Sequence, residues 1–279
     1  MSALTVALDG GPYALSGAPD GAMWVTLARA GALARIGRDG AVSRIEAGPD
    51  SRPSQICAGP DGAMWFSCAG SDRLGRVAGD SVQFVELPSG SSPFGICAGP
   101  DGAVWFTAMD SGVIGRVSGG EVEVVAVPRG GPSMIATGGD GALWFTLNQK
   151  SAIGRVTVGG ELSVRPTPTP AAGPVGICAT HDDAVWFTAA GADKLGRIPR
   201  NDAIQELDLP GTPHAVIADA ADGVWVSLSG ADSIARVGAD GEVAVLELPP
   251  GSEPHGLALD LQGAVWVALE SGYVVRLPV

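Results

Sequence analysis

The sequence predicts an all-β fold, a seven-bladed β-propeller, on three observations. A proline stands twelve residues before every tryptophan, and an arginine stands ten or eleven residues after it. Glycine (42 residues) and proline (21) are abundant, as expected for many short strands joined by turns. Repeats of roughly 40–45 residues with four strands are typical of propeller blades. The tryptophans recur at spacings of 41, 40, 39, 42, 39 and 41 residues, at Trp24, Trp65, Trp105, Trp144, Trp186, Trp225 and Trp266.

Each repeat supplies four strands, which the third copy illustrates. The first and innermost strand is the apolar run that contains Gly95. Asp101-Gly102 then turns the chain, because Asp-Gly between two apolar runs is a strong hairpin signal. The second strand contains Trp105, and the third contains Gly115-Arg116. An alternating segment that begins at Glu121 forms the outer strand.

The last repeat is one strand short, and the first residues of the chain can complete it. After Pro254 only three strands remain before Val279, whereas residues 4–8 match the outer strand of the other copies. We therefore expect one domain, 1–279, in which residues 1–9 complete the blade formed by 254–279. Such closure removes an exposed sheet edge and favours a monomer.

Composition narrows the classes of partner and compartment. The net charge is −13 and only two residues are lysines, so a nucleic acid would be repelled. The sequence contains neither a signal peptide nor an apolar run of the roughly 20 residues that a membrane helix needs. Three of the four cysteines, Cys57, Cys97 and Cys178, share one repeat position, which predicts small buried thiols rather than disulfides. We expect a cytoplasmic protein.

Residues that break the repeat are the candidates for function, because residues that recur in every copy serve the scaffold. The position after each repeat proline begins the innermost strand and faces the axial channel. Two of the three histidines occupy it in consecutive blades, and ring closure places the first blade beside them. His181 lies instead where other copies turn, which indicates a solvated loop residue. Around the ring this position holds Tyr13, Ser54, Phe94, Ser133, Val175, His214 and His255.

Two acids break the repeat in the seventh blade. Glu253 is the only acid among the residues that precede a repeat proline, and Glu270 is the only acid four residues after a tryptophan. A symmetric hairpin about Gln262-Gly263 would place His255 opposite Glu270, with Cβ atoms about 5 Å apart. A histidine with two carboxylates nearby is either a base held in orientation or part of a divalent-ion site. Carboxylate oxygens favour magnesium over zinc.

These residues resemble those of the virginiamycin B lyase family. The repeat Pro-x-x-Ile-x(4)-Asp-Gly-x-x-Trp-Phe-Thr followed by Ile-Gly-Arg resembles the family pattern over essentially the whole chain. The resemblance implies a magnesium-dependent lyase that opens streptogramin B cyclic depsipeptides at their ester bond by elimination. The family's functional residues match Gly11-Pro12-Tyr13, Pro213-His214, Glu253-Pro254-His255-Gly256 and Glu270.

The resemblance also implies roles for the matched side chains. His255 would be the general base, and Glu253 and Glu270 would hold magnesium. Tyr13 and His214 would contact the substrate or the leaving group. Our own hypothesis for the mechanism adds that a protonated His214 helps the ester oxygen to leave. No Ser-His-Asp or Cys-His arrangement competes with this set. Two alternatives stay open at the level of sequence: a non-catalytic ligand-binding propeller and a metal-dependent lactone hydrolase.

The sequence departs from the family in one row of residues. Family copies often carry an acid directly after Trp-Phe-Thr, and here those positions make the channel mouth more apolar. The departure leaves the matched set intact and concerns the identity of the substrate and the shape of its pocket. The residues are Leu27, Cys68, Ala108, Leu147, Ala189, Leu228 and Leu269.

Overall fold

Seven four-stranded antiparallel sheets form a closed ring in the computed structural model, which describes residues 4–79, 81–126, 128–200, 202–221 and 223–277. Each innermost strand contacts the innermost strands of the two neighbouring blades, and the seventh contacts the first. The predicted seven-bladed propeller is therefore confirmed. We number the blades one to seven by their repeat prolines. Residues 1–3 and 278–279, which were predicted to belong to the seventh blade, lie outside the described residues.

The innermost strand of every blade begins at its repeat proline, where a missing N–H does not interrupt the hydrogen-bond ladder. These strands are Pro12–Gly17, Pro53–Ala58, Pro93–Ala98, Pro132–Thr137, Pro174–Ala179, Pro213–Ala218 and Pro254–Leu259. The second strands carry the repeat tryptophans. They are Met23–Leu27, Met64–Cys68, Val104–Ala108, Ala142–Leu147, Val185–Ala189, Val224–Leu228 and Val265–Leu269.

The third strands carry the repeat arginines. They are Ala32–Ile36, Arg73–Ala78, Val113–Ser118, Ala152–Thr157, Lys194–Ile198, Ser233–Val237 and Tyr273–Leu277. The outer strands of blades one to six follow directly in the chain. They are Val42–Glu46, Ser81–Glu86, Glu121–Ala126, Leu162–Pro166, Gln205–Asp208 and Val243–Glu247.

The seventh blade takes its outer strand from the other end of the chain. Leu4–Ala7 pairs antiparallel with Tyr273–Leu277, with Leu4 opposite Arg276 and Ala7 opposite Tyr273. Val6 packs against the core cluster shared by blades one and seven, while Thr5 on the opposite face is exposed. The predicted closure of the ring by residues 4–8 is confirmed for residues 4–7.

The repeat arginines serve the scaffold, as expected. Each one pairs with an aspartate from a turn of its own blade, as Arg116 does with Asp101 at 2.9 Å. The same aspartate accepts a hydrogen bond from Trp105 Nε1 at 2.9 Å. The other six pairs are Arg35–Asp20, Arg76–Asp61, Arg155–Asp140, Arg197–Asp182, Arg236–Asp219 and Arg276–Asp260.

Glycine next to the repeat arginine makes room for an aromatic ring. Gly75 lies opposite Phe66 in the sheet, and a Cβ atom at Gly75 would lie 2.0 Å from the phenylalanine ring. Where the aromatic residue is replaced by Val25, the opposite residue is Ala34. The pair thus conserves volume within the close-packed core.

The buried core lies between neighbouring blades rather than at the axis. One cluster, for example, joins Trp105 of blade three to Phe145 and Leu147 of blade four. The only helices in the described part of the chain are three turns of three residues, Asn148–Lys150, Ala190–Ala192 and Ser229–Ala231. None of the described helices could span a membrane.

Candidate active site

The predicted aromatic and imidazole side chains meet at one mouth of the channel. The ring centroids of His214 and His255 are 4.4 Å apart. Tyr13 lies 5.9 Å from His214 and 5.1 Å from His255. Phe94 touches the other side of Tyr13, with centroids 6.4 Å apart. The prediction that blades six, seven and one bring these three side chains together is confirmed.

A bulge in the innermost strand presents these side chains to the mouth. In the seventh blade the pairing shifts register between Pro254 and Leu257, so that His255 has no partner directly opposite. The same shift occurs in the other six blades, between the proline and the third residue after it. Bulges turn side chains away from regular alternation, and here they direct one residue per blade toward the axis.

Glycine lets the strand of blade one approach blade seven closely. A Cβ atom at Gly256 would lie 2.4 Å from the carbonyl oxygen of Tyr13. Gly176 allows the same close approach to blade six, because a Cβ atom added there would lie 2.5 Å from the carbonyl oxygen of His214. Both glycines therefore set how near the site-bearing strands stand to their neighbours.

A row of hydroxyl groups joins the innermost strands of successive blades. Thr188 Oγ1 accepts the N–H of Gly176 in its own blade at 2.7 Å and donates to the carbonyl of His214 in the next blade at 2.7 Å. Blades one to four have the same pair of hydrogen bonds, made by Thr26, Ser67, Thr107 and Thr146. Blade seven has Ala268 at this position, so the seam between blades seven and one lacks the hydroxyl.

His255 and its expected carboxylate are in contact. His255 Nε2 lies 3.4 Å from Glu270 Oε1. The symmetric register predicted for this hairpin is wrong, because the bulge pairs Pro254 with Leu269 and the turn centres on Leu261-Gln262. The side chains meet all the same, since the bulge turns His255 toward Glu270.

The backbone of Glu253 is held at the edge of the channel mouth by its conformation and its hydrogen bonds. Its φ of 49° lies in the left-handed region, and its N–H donates to Asp232 Oδ1 at 2.8 Å. The carbonyl of Glu253 accepts the N–H of Glu270 at 3.2 Å, so the two acids start from adjacent backbone. The side chain of Glu253 is exposed.

Burial keeps the two histidines at the mouth uncharged. It lowers the pKa of His214 to about 3, and His255 adds to that shift. Burial also lowers the pKa of His255, against the opposing effect of the Glu270 and Glu253 carboxylates. Tyr13 has its pKa raised to about 12, by burial and then by Glu270. Both imidazoles are therefore neutral near pH 7 in the free protein, which disfavours the protonated His214 expected from the sequence.

The nitrogens of His255 have different surroundings. Nδ1 is buried and has no hydrogen-bond partner among the described residues, and the same holds for Nδ1 of His214. Nε2 faces Glu270, whose side chain is 32% exposed. A molecule bound at the mouth would therefore reach Nε2, which makes this nitrogen the candidate base.

The channel below the mouth is mainly apolar. It has a volume of about 340 Å³, and Tyr13 and His214 form part of its lining together with Met134, Val175 and Ile177. A larger groove of about 860 Å³ runs between blades one and two and contains none of the predicted site residues. His181 is exposed in its loop, as expected.

The donors at the mouth suit a hard cation that needs few protein ligands. Within the described ranges no group of three or more histidine, cysteine, aspartate or glutamate side chains forms a metal cage. Magnesium usually binds through one or two carboxylates and fills its other positions with water and substrate. The paired backbones of Glu253 and Glu270 and the carboxylate beside His255 fit that pattern.

Sequence reasoning missed two features of the mouth. The hydroxyl row was visible as Thr or Ser two residues after six of the tryptophans, but its partners depend on the bulge. Arg29 was also missed, although the equivalent loop positions of the other blades hold no cation. Its Nη2 donates to the carbonyl of Glu270 at 2.8 Å, across the seam between blades one and seven.

Comparisons with known proteins point in one direction. The sequence profile described as the Virginiamycin B lyase family matches residues 1–277. A protein described as virginiamycin B lyase from Mycolicibacterium smegmatis is 64% identical over 278 residues, 99% of each chain.

Solved structures agree with this result. Selenomethionine-substituted virginiamycin B lyase from Staphylococcus aureus superposes with a TM-score of 0.94 at 32% identity, covering 100% of this chain and 99% of that one. A catalytically inactive histidine-to-alanine variant of that enzyme, solved with quinupristin, gives a TM-score of 0.93 at 31% identity, with coverage of 100% and 99%.

Proposed function

Because the chain belongs to the virginiamycin B lyase family, we infer that it is a carbon–oxygen lyase that inactivates streptogramin B antibiotics. The single observation that carries this inference is the 64% identity over 99% of both chains. The histidine pair at the channel mouth supports it, because an elimination needs a base and no nucleophile. The quinupristin bound to the S. aureus relative supports a cyclic depsipeptide as the substrate.

We propose that His255 removes a proton from a carbon α to a carbonyl group. The neighbouring β-carbon carries the ester oxygen. The lowered pKa of His255 keeps the imidazole unprotonated near neutral pH, so Nε2 has a lone pair available. The negative charge of Glu270, whose Oε1 lies 3.4 Å from Nε2, stabilises the imidazolium that forms. The Cβ–O bond then breaks, and the oxygen leaves as a carboxylate.

We propose magnesium as the cofactor, held by Glu253 and Glu270. Bound there, it would act as a Lewis acid that stabilises negative charge on the substrate's carbonyl oxygen. Glu270 can face both His255 and the metal at the same time, because a carboxylate has two oxygens.

Tyr13 and His214 are proposed to position the substrate. Both side chains are neutral at pH 7, so each can donate a hydrogen bond without carrying charge. His214 then assists the leaving group as a neutral donor rather than as an imidazolium. The apolar channel beneath them can accept an apolar side chain of the depsipeptide.

We propose that the protein is a cytoplasmic monomer. All four cysteines are unpaired, which agrees with a reducing cytoplasm. Pairing of Leu4–Ala7 with the seventh blade covers the sheet edge that would otherwise invite association, which favours a monomer.

Incubation with a streptogramin B depsipeptide, with magnesium and with a chelator, tests the function. Mass spectrometry of the product should show a linear molecule of unchanged mass that contains a new dehydroamino acid. A gain of one water would identify a metal-dependent lactone hydrolase instead. Binding without any reaction under either condition would identify a ligand-binding propeller, and both results would contradict the proposal.

A further inference from the structure

Arg29 is the residue that breaks the repeat at the fifth position after the tryptophan. The equivalent loop positions of the other blades carry no cation, so the propeller scaffold does not require one. They hold Gly70, Asp110, Gln149, Gly191, Gly230 and Ser271. By the rule that identified the histidines, a residue found in one blade alone is a candidate for function.

The side chain of Arg29 lies across the entrance to the site. Gly11, with a φ of 71°, leaves space for it, because a Cβ atom there would lie 2.6 Å from Arg29 Nε. Nη2 donates to the carbonyl of Glu270 at 2.8 Å. The guanidinium therefore lies between the residues that precede Tyr13 and the residue that contacts His255.

The guanidinium keeps hydrogen-bonding capacity for a ligand. The ion pairs of the described residues include the seven repeat arginines but not Arg29. Its one hydrogen bond among those residues uses a single nitrogen and a neutral acceptor, and the side chain is exposed. Five N–H donors in a planar fork match the two oxygens of a carboxylate.

The reaction creates such a carboxylate at this mouth. As His255 takes the α-proton, the C–H electron pair forms the Cα=Cβ bond, the Cβ–O bond breaks, and the ester oxygen keeps its electron pair. The charged residues nearest to His255 are Glu253 and Glu270, which are proposed to hold the metal beside the base. His214 is neutral and supplies no opposing charge.

We propose that Arg29 binds the carboxylate released from the ester, and so stabilises the leaving group. The proposal rests on the lyase function inferred above. Hydrogen bonds between an arginine and a carboxylate are short and strong, and they gain strength as negative charge develops on the oxygen. Arg29 is then a catalytic residue that contacts the leaving group.

Binding of the linear product tests the proposal independently of turnover. Calorimetry would compare the linear product with the same molecule capped as a methyl amide, on the wild type and on Arg29→Gln. We expect Arg29→Gln to weaken binding of the free acid by about tenfold or more and to leave the capped product unchanged. Arg29→Lys should recover part of the affinity, because it restores the charge without the fork.

A matched control is Arg52→Gln, which removes an exposed arginine from the same mouth in blade two. Its affinity for both products should equal that of the wild type. Equal weakening of both products by Arg29→Gln would assign the residue a structural role and overturn the proposal, as would unchanged affinity for the free acid. Failure of the wild type to open the depsipeptide would instead contradict the lyase function.

Discussion

The chemistry proposed for the channel mouth depends on a few side chains at positions that are equivalent in all seven blades. His255 and His214 occupy a position that holds tyrosine, serine, phenylalanine or valine elsewhere in the ring. Those residues are compatible with the fold, so the two imidazoles can be replaced without loss of the scaffold. This separation of scaffold from chemistry makes substitutions at the mouth informative.

Replacement of the base should abolish turnover and spare the fold. His255→Ala removes Nε2, and we expect the rate of ring opening to fall by about 100-fold to 10,000-fold. Product formation followed by chromatography measures the rate, and circular dichroism measures the fold. His181→Ala, which alters the exposed histidine, is the control and should keep full activity. Near-complete activity in His255→Ala would show that another group is the base.

Loss of one carboxylate should weaken the dependence on magnesium. Glu270→Gln removes a charge from the proposed metal site, and affinity at oxygen-ligand sites follows ligand charge. The magnesium concentration for half-maximal rate should rise by about tenfold or more. Glu247→Gln, in an exposed outer strand, is the control. An unchanged magnesium titration in Glu270→Gln would exclude this residue as a ligand.

Burial of His214 should make stability depend on pH. The folded protein keeps this imidazole neutral down to about pH 3, whereas the unfolded chain protonates it below its ordinary pKa of 6.5. Above pH 6.5 this residue therefore does not reduce the free energy of unfolding. As the pH falls from 6.5 toward 3, the free energy of unfolding declines by up to about 1.4 kcal/mol per pH unit.

His214→Phe should reduce that slope in denaturant unfolding measured from pH 7 to pH 4. Phenylalanine is a reasonable replacement, because Phe94 occupies the equivalent position in blade three. His181→Phe should leave the slope as it is in the wild type. An identical slope in His214→Phe would contradict the burial of a neutral imidazole.

Among structural elements, the hydroxyl row holds neighbouring blades together. Thr146 is fully buried, accepts the N–H of Met134 at 3.1 Å and donates to the carbonyl of Val175 at 2.8 Å. Thr146→Val leaves both backbone groups without this partner, so we expect a loss of about 1–3 kcal/mol in unfolding free energy. Activity should persist, because blade four holds none of the proposed base, metal-binding or leaving-group residues. Thr5→Val, on the exposed face of the closing strand, is the control and should unfold like the wild type.

The repeat predicted the elements but not their detailed register. Spacing of tryptophan, proline and arginine was sufficient for seven blades, because each blade repeats the same buried contacts. The opposition of His255 and Glu270 was inferred from a symmetric hairpin, and the bulge after Pro254 changes that register. A bulge without a distinctive residue leaves no signal in the sequence. The contact between His255 and Glu270 was nevertheless predicted correctly, because both residues lie at the open end of the same hairpin.

At the scale of the whole molecule, ring closure depends on one short strand. Val6 is half-buried against the cluster of blades one and seven, and Thr5 points to solvent. Val6→Asp should destabilise the protein by about 1–3 kcal/mol, seen as a lower melting temperature, because it places a charge against apolar side chains. Thr5→Asp is the matched control and should melt near the wild type. Equal melting of both variants would show that the closing strand contributes little.

The position of the site on the seam between blades seven and one makes catalysis a property of the finished ring. Arg29 and Glu270 are 241 residues apart in sequence, and they meet only when the seventh blade docks on the first. During synthesis the residues of blade one emerge early and must wait for the last blade. A nascent chain that stopped after blade six would lack the proposed base, His255, as well as the strands that close the ring. The proposed activity therefore begins only when blade seven has docked on blade one, and two fragments divided between blades would acquire it only by reassociating.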